Sequence, residues 1–390
     1  MMDWFNQIPV EKITEWREHL HKHPELSFKE FETSQFIYDT LSTFPNLELT
    51  RPTKTSVVAT LVGTAGEGKT IALRADMDAL PVQEESEVDF KSENDGVMHA
   101  CGHDTHVAML LGAANVLSGM QDKIAGTVKF IFQHAEEQVP GGAQELVDAG
   151  VLEGVDQIFG IHIIPRLTAG SLGVVSGYTT TAADGFFLKI QGKGSHASTP
   201  ELSIDPIVVG SHLVMALQTI VSRNVPAKEM AILSVGEFHS GQAPNIIADT
   251  AKLSCSIRTT NEEIRDLMEK RVREVVNQVA ATYGATVDLD YVRGYSAVYS
   301  TPELAKSAFD SATKVLGKDL VYDSPMLMAS EDFSAYTKVV PGCFMFLGGG
   351  LEAEGCGYMN HHPKFKVLNE AMVNGTKVEV QIILDLLGSK

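Results

Sequence analysis

Three β-rich apolar runs in the first half of the chain stop abruptly at side chains that hold metal ions or move protons. Residues 70–75 run into Asp76-Met77-Asp78. Residues 127–133 run into His134-Ala135-Glu136-Glu137. Residues 156–162 lead to His162-Ile163-Ile164-Pro165. Acids and imidazoles at strand ends sit where open α/β sheets place their sites. Between the first two runs lies His99-Ala100-Cys101-Gly102-His103-Asp104-Thr105-His106, which concentrates a thiol, three imidazoles and a carboxylate. The apolar stretch after it, residues 107–117, reads as a buried helix.

The order of elements follows from the same patterns. Helices are expected at 10–23 and 27–41, the second with Ser27 as N-cap and Glu30 three residues later. His19, His21 and His23 read as a surface helix end. Strands at 56–62 and 70–75 flank a glycine-rich turn, and a helix at 142–148 separates the strands at 127–133 and 156–162. This alternation predicts an α/β fold, a mostly parallel mixed sheet with helices on both faces. Near residue 178 the pattern changes. A strand at 186–191, a helix at 205–222, strands at 232–238 and 246–257, a helix from Asn261 to 282 and a strand at 287–291 give the order β-α-β-β-α-β. That is an inserted ferredoxin-like α+β unit. The expected division is 1–177, first part of a catalytic metal-binding domain; 178–293, a lid and dimerisation domain; 294–390, the second part of the catalytic domain. The returning segment carries a helix at 301–315, a capped helix start at Ser330-Glu331-Asp332-Phe333, a strand at 343–347, His361-His362-Pro363 and a closing helix at 369–387.

Cys101, His103, Glu137, His162 and one of His361 or His362 offer thiolate, imidazole and carboxylate donors from separate segments. Five donors are too many for one hydrolytic zinc with an open position; they suit two ions sharing a bridging group. Adjacent residues on an extended strand end point opposite ways, so Glu137 can face metal while Glu136 faces the reacting water as general base. The formal net charge of −19 argues against nucleic acid and anionic membranes as partners. The four cysteines form no C-x-x-C pair, the N-terminus has no basic start before an apolar core, and no uninterrupted apolar run is long enough to span a bilayer. The expectation is a reduced, cytoplasmic protein.

At these residues the chain resembles the metal-dependent amidohydrolases and exopeptidases of the aminoacylase and carboxypeptidase G type. It is most similar to the branch holding hippurate hydrolase and the plant indole-acetyl-amino-acid hydrolases. The segments that carry the resemblance are Arg74-Ala75-Asp76-Met77-Asp78-Ala79-Leu80-Pro81, residues 99–106, 132–137 and 194–200, and Ser330-Glu331-Asp332-Phe333. The resemblance implies two divalent ions per subunit, zinc or manganese with cobalt and nickel as further fits, held by Cys101, His103, Glu137, His162 and His361. It favours His361 over His362 because the family's last ligand lies two residues before a proline. It implies Glu136 as general base and His196 as oxyanion donor, often reaching across a homodimer built through the inserted domain. Asn245 and Arg258 match positions that hold the substrate, and Asp78 matches an acid that orients the metal-site groups. Three departures stand out: Glu201 where Pro200 is often followed by histidine, His134 in place of a proline, and Ala329 in place of a glycine. Glu201 would disfavour anionic substrates.

The expected activity is hydrolysis of small N-acyl amino acids, with acetyl, benzoyl or indole-acetyl groups, to a carboxylate and a free amino acid. A dipeptidase or aminopeptidase on the same fold would need an acid to hold a free α-amine, and the sequence displays none. A metal-binding protein without turnover would lack the base, and Glu136 is present. A closed structural site would lack a spare acid beside its ligands.

Overall fold

The computed structural model describes residues 3–389 and divides the chain into two compact units. The first comprises Met1–Thr179, Val298–Met326 and Asp332–Lys390. Its centre is an eight-stranded mixed sheet in the order Leu47–Thr50, Val57–Val62, Thr127–Gln133, Thr70–Asp76, Gln157–Ile164, Gly342–Gly348, Leu172–Val174, Val321–Asp323. The four strands from Thr127–Gln133 to Gly342–Gly348 run parallel; Val57–Val62 and Leu172–Val174 join them antiparallel on either side, and Val321–Asp323 pairs parallel with the latter. This is the mixed α/β architecture expected from the alternating elements.

Helix His103–Ser118 buries every residue but Asn115. It is apolar all round because it is enclosed, packing on Val10–Lys22, Glu370–Leu387 and the strand Thr70–Asp76. Its first residue is also its most chemically loaded, so burial fixes His103 rigidly. Gly102, just before it, has φ +88, and a Cβ there would lie 2.5 Å from the Ile163 side chain. Glycine meets both demands.

Local signals misplaced two helix starts. The second helix begins at Phe31, and Ser27 is no cap. Its hydroxyl donates to Asp78 Oδ2 at 2.7 Å, while Glu30 accepts from the Ala135 amide at 2.8 Å. Ser330 likewise caps nothing, since that helix spans Ser334–Thr337. Asp332 instead accepts from Arg74 Nη2 at 2.8 Å. At Ser27 a long-range partner outcompetes the local backbone. The N-terminal histidines also separate: His21 turns inward, 2% exposed, to Asp104 Oδ2 at 2.9 Å, while His19 and His23 stay outside.

Glu379 is buried in helix Glu370–Leu387, and its Oε2 has no hydrogen-bond partner among the described residues. Burial alone pushes its carboxyl well above the usual carboxylate range. The unfolded chain ionises this group above about pH 4.3. Folding must then carry a proton inward, at a cost that grows as pH rises towards the folded pKa. Glu379→Gln is therefore expected to raise Tm at pH 8, by about 2–4 °C per kcal/mol relieved, with the gain shrinking towards pH 4. A scan showing a loss, or a gain independent of pH, would contradict this.

The second unit comprises Thr180–Ala297 and Leu327–Glu331. Its antiparallel sheet has the order Ala231–Ser240, Thr250–Thr259, Ala182–Gln191, Thr286–Arg293. Helices Pro206–Asn224 and Glu262–Thr282 pack on each other and on this sheet. Asn261 Oδ1 accepts from the Ile264 amide at 2.8 Å, the expected cap. The stretch expected as one strand at 246–257 is two: Ile246–Ile247 pairs with Ser195–His196, and Thr250–Thr259 joins the main sheet. Helix Pro206–Asn224 is long and apolar enough by length and composition to cross a membrane. It presents Val209, Leu213, Leu217 and Ile220 to the unit's core.

Candidate metal centre

The strand ends of the first unit deliver the expected donors to one place. Cys101, His103 and His162 bring their ligand atoms within 4.8 Å of one another, and so do Cys101, Glu137 and His361. Cys101 belongs to both groups. His361 Nε2 lies 3.2 Å from Glu137 Oε1, and the His361 amide donates to Ala100 O at 2.8 Å. His362 belongs to neither group. Its ring stacks on Tyr358, and its Nδ1 accepts from the Lys364 amide at 3.0 Å.

Hydrogen bonds decide which ring nitrogen each histidine offers. His103 Nδ1 donates to Asp78 O at 3.0 Å. Its buried Nε2 has no hydrogen-bond partner among the described residues. Around that atom, Glu137 Oε1 and Asp76 Oδ2 stand at 3.8 Å and Glu136 Oε2 at 3.9 Å. His162 Nδ1 donates to Ile163 O at 2.8 Å, leaving Nε2 to face Cys101 Sγ at 3.4 Å. Both rings thus turn Nε2 towards the thiol and the acids.

The electrostatics call for cations here. Burial alone would lower the His103 pKa, yet Asp76, Asp78 and Glu137 hold it up to about 10. Burial, then Glu137 and Glu136, push the Cys101 thiol well above its ordinary value. The donor set of thiol, imidazole and carboxylate suits zinc-type metals, so the residues fit the implied ions.

Glu136 and Glu137 do not lie on an extended strand end. The strand Thr127–Gln133 stops, Ala135 takes φ +50, and both acids follow in a bend. Asp78 aims them: its Oδ1 accepts from the Glu136 amide at 3.1 Å and its Oδ2 from the Glu137 amide at 3.0 Å. Asp78 also carries His103 and Ser27, so one buried carboxylate ties four neighbours together.

Sequence reasoning missed Asn360. Its Nδ2 donates to Cys101 O at 3.0 Å and lies 3.7 Å from Cys101 Sγ. Its one signal is its place directly before His361. The predicted residues of the second unit group separately. Ser195–His196 pairs with Ile246–Ile247, and Ala197 donates to Asn245 O at 3.1 Å, so His196 and Asn245 share one ribbon. His196 Nδ1 accepts from the Ser198 amide at 3.1 Å, which puts the neutral ring's proton on Nε2. Arg258 lies on the strand Thr250–Thr259 and is half-buried, with Nη1 on Ser256 Oγ at 2.9 Å.

Comparison with known proteins bears on the class. Residues 72–385 match the model of peptidase family M20/M25/M40. The chain is 46% identical over 291 residues to an N-acyl-L-amino acid amidohydrolase of Geobacillus stearothermophilus, covering 75% of this chain and 78% of that one. It is 37% identical over 379 residues to an N-acetylcysteine deacetylase of Bacillus subtilis, covering 96% and 97%. A crystal structure of a Bacillus subtilis dinuclear metal-binding peptidase of the M20 family superposes with a TM-score of 0.82 at 33% identity, covering 97% and 98%. The fold and the donor cluster define a metal-dependent hydrolase of amide bonds. The chain belongs to the M20/M25/M40 peptidase family.

Proposed function

We propose that this chain hydrolyses N-acyl amino acids, with acetyl, benzoyl or indole-acetyl groups, and releases a carboxylate and a free amino acid. The observation that carries the reading is the convergence of Cys101, His103, Glu137, His162 and His361 beside a spare acid, Glu136. Relatives named for N-acyl-amino-acid and N-acetylcysteine substrates support the acyl side of it. The segments that resemble the hippurate and indole-acetyl-amino-acid hydrolase branch support the benzoyl and indole-acetyl side of it.

Two divalent ions held by those five residues would supply Lewis acidity, polarising the scissile carbonyl and acidifying the attacking water. Thiolate and imidazole donors lean to zinc; manganese is the other metal the resemblance implies, with cobalt and nickel as further fits. Glu136 takes the proton from the water and hands it to the leaving amine. Asp78 keeps Glu136, Glu137 and His103 in register. Asn245 and Arg258 hold the substrate's carboxylate and amide.

His196, with its proton on Nε2, donates to the oxyanion. His196→Ala is expected to lower kcat about 10²–10³-fold with zinc content unchanged. Zinc loss in that variant would make His196 a ligand instead.

The second unit serves as lid and as the surface of a homodimer. Strand Ala231–Ser240 is an edge of its sheet among the described residues, and an edge strand presents backbone groups for pairing. Beside it, helix Pro206–Asn224 exposes Ile207, Val208 and Met215, the last 70% exposed. An apolar face next to an open edge suits a second copy.

The test of the activity is release of free amino acid from acetyl-, benzoyl- and indole-acetyl-amino acids and from dipeptides. Each is assayed before and after chelation, then with zinc or manganese restored. Metal-restored cleavage of the acylated substrates is expected. Cleavage of dipeptides alone would replace this reading with a peptidase.

A further inference from the structure

His106 is 2% exposed in the first turn of helix His103–Ser118 and takes no part in the chemistry above. Its ring lies with Asp76 and His103 in a third group of donors within 4.8 Å, so a ligand role is the first question. Hydrogen-bond direction answers it. The Ile163 amide lies 2.8 Å from His106 Nε2. An amide N–H can only donate, so Nε2 accepts and the neutral ring's proton sits on Nδ1. That Nδ1 meets Asp76 Oδ1 at 2.5 Å. Both nitrogens are engaged, and no lone pair is left for an ion.

The Ile163 peptide is the junction. Its carbonyl accepts from His162 Nδ1 at 2.8 Å and from Asn360 Nδ2 at 3.4 Å. Sheet register explains why a side chain is needed. Strand Gln157–Ile164 pairs with Thr70–Asp76 only from Gln157 to Gly160. Beyond Gly160 that side of the strand has lost its neighbour, and His106 takes up the Ile163 N–H in its place. Asp76 is anchored in turn by Arg74 Nη1 at 2.5 Å, and Arg74 by Gln133 Oε1 at 2.7 Å.

We propose that His106, oriented by Asp76, is a positioning residue that fixes the Ile163 peptide and thereby aims His162 Nε2 at its metal ion. The proposal rests on the reading of His162 as a ligand. Groups that orient metal ligands typically change metal affinity about 10–100-fold when removed.

The experiment measures zinc affinity of the full chain by competition with a chromophoric chelator, with circular dichroism and thermal unfolding as the check on folding. Asparagine at 106 reaches Asp76 but falls short of Ile163. Glutamine places its Oε1 near the former Nε2 and can accept the Ile163 N–H. His106→Asn is expected to weaken zinc binding about 10–100-fold, and His106→Gln to recover most of the loss. Wild-type affinity in both variants would overturn the proposal. Equal loss in both would overturn it too, leaving only packing. His162→Ala, run in parallel, separates the two readings. If it leaves zinc affinity unchanged, His162 is no ligand and both fall; if it loses zinc while His106→Asn does not, only the positioning role falls. Should His106→Asn not fold, Asn360→Ala loosens the same peptide from its carbonyl side and must lower zinc affinity; unchanged affinity overturns the proposal.

Discussion

Glu136→Gln is expected to keep its full complement of zinc and to turn over about 10²–10⁴-fold more slowly. Glutamine matches glutamate in shape, so the pocket around this nearly buried side chain is preserved. The amide cannot accept a proton at neutral pH, so the water loses its base and the leaving amine its acid. The substitution also divides two roles that proximity leaves open, because Glu136 Oε2 and Glu137 Oε1 stand at nearly equal distances from His103 Nε2. Metal analysis beside steady-state kinetics separates them. Zinc loss would make Glu136 a ligand, and near-wild-type turnover would remove it from the mechanism.

Asp78→Asn should damage the site in the opposite order, with metal lost first. The two carboxylate oxygens receive the Glu136 amide, the Glu137 amide, the Ser27 hydroxyl and the His103 ring. An asparagine offers one oxygen and turns an NH₂ towards two of those donors. Ser27 can rotate its hydroxyl, but a backbone amide cannot reverse. One buried donor left unpaired costs about 1–3 kcal/mol. The NH₂ faces either the Glu137 amide and Ser27 or the Glu136 amide and the His103 ring; in either orientation a metal-site group loses its hold, so zinc affinity should fall about 10–100-fold. With zinc saturating, kcat should remain reduced because the Glu136 backbone is loosened too. Unchanged affinity, measured by chelator competition, would mean that Asp78 supports folding alone.

The donors were legible in the sequence because metal chemistry admits few residue types. Cys101 and His103 lead into the enclosed helix, Glu137 follows a strand, His162 lies near a strand's end and His361 stands two residues before a proline. The enclosed helix from His103 was legible for a similar reason, since its apolar residues leave it no polar face. What was illegible depended on partners far away in the chain. Ser27 looks like a helix cap until Asp78, 51 residues later, takes its hydroxyl. The paired glutamates owe their directions to Asp78 amide contacts and a turn at Ala135, not to strand alternation. Asn360 has an amide side chain with no chemical signature of its own. His106 stood in view within the ligand-rich segment, but only the direction of one backbone hydrogen bond shows that both its ring nitrogens are engaged.

The His361 amide bonds to Ala100 O across 261 residues of chain. A growing polypeptide therefore carries Cys101, His103, Glu137 and His162 through the 199 residues from His162 to His361 without the segment that brings the fifth donor. During that interval the strand Gly342–Gly348 and the helix Glu370–Leu387, which pack on the strand of His162 and the helix of His103, are absent as well. Metal captured then would sit on fewer donors and exchange readily with its surroundings.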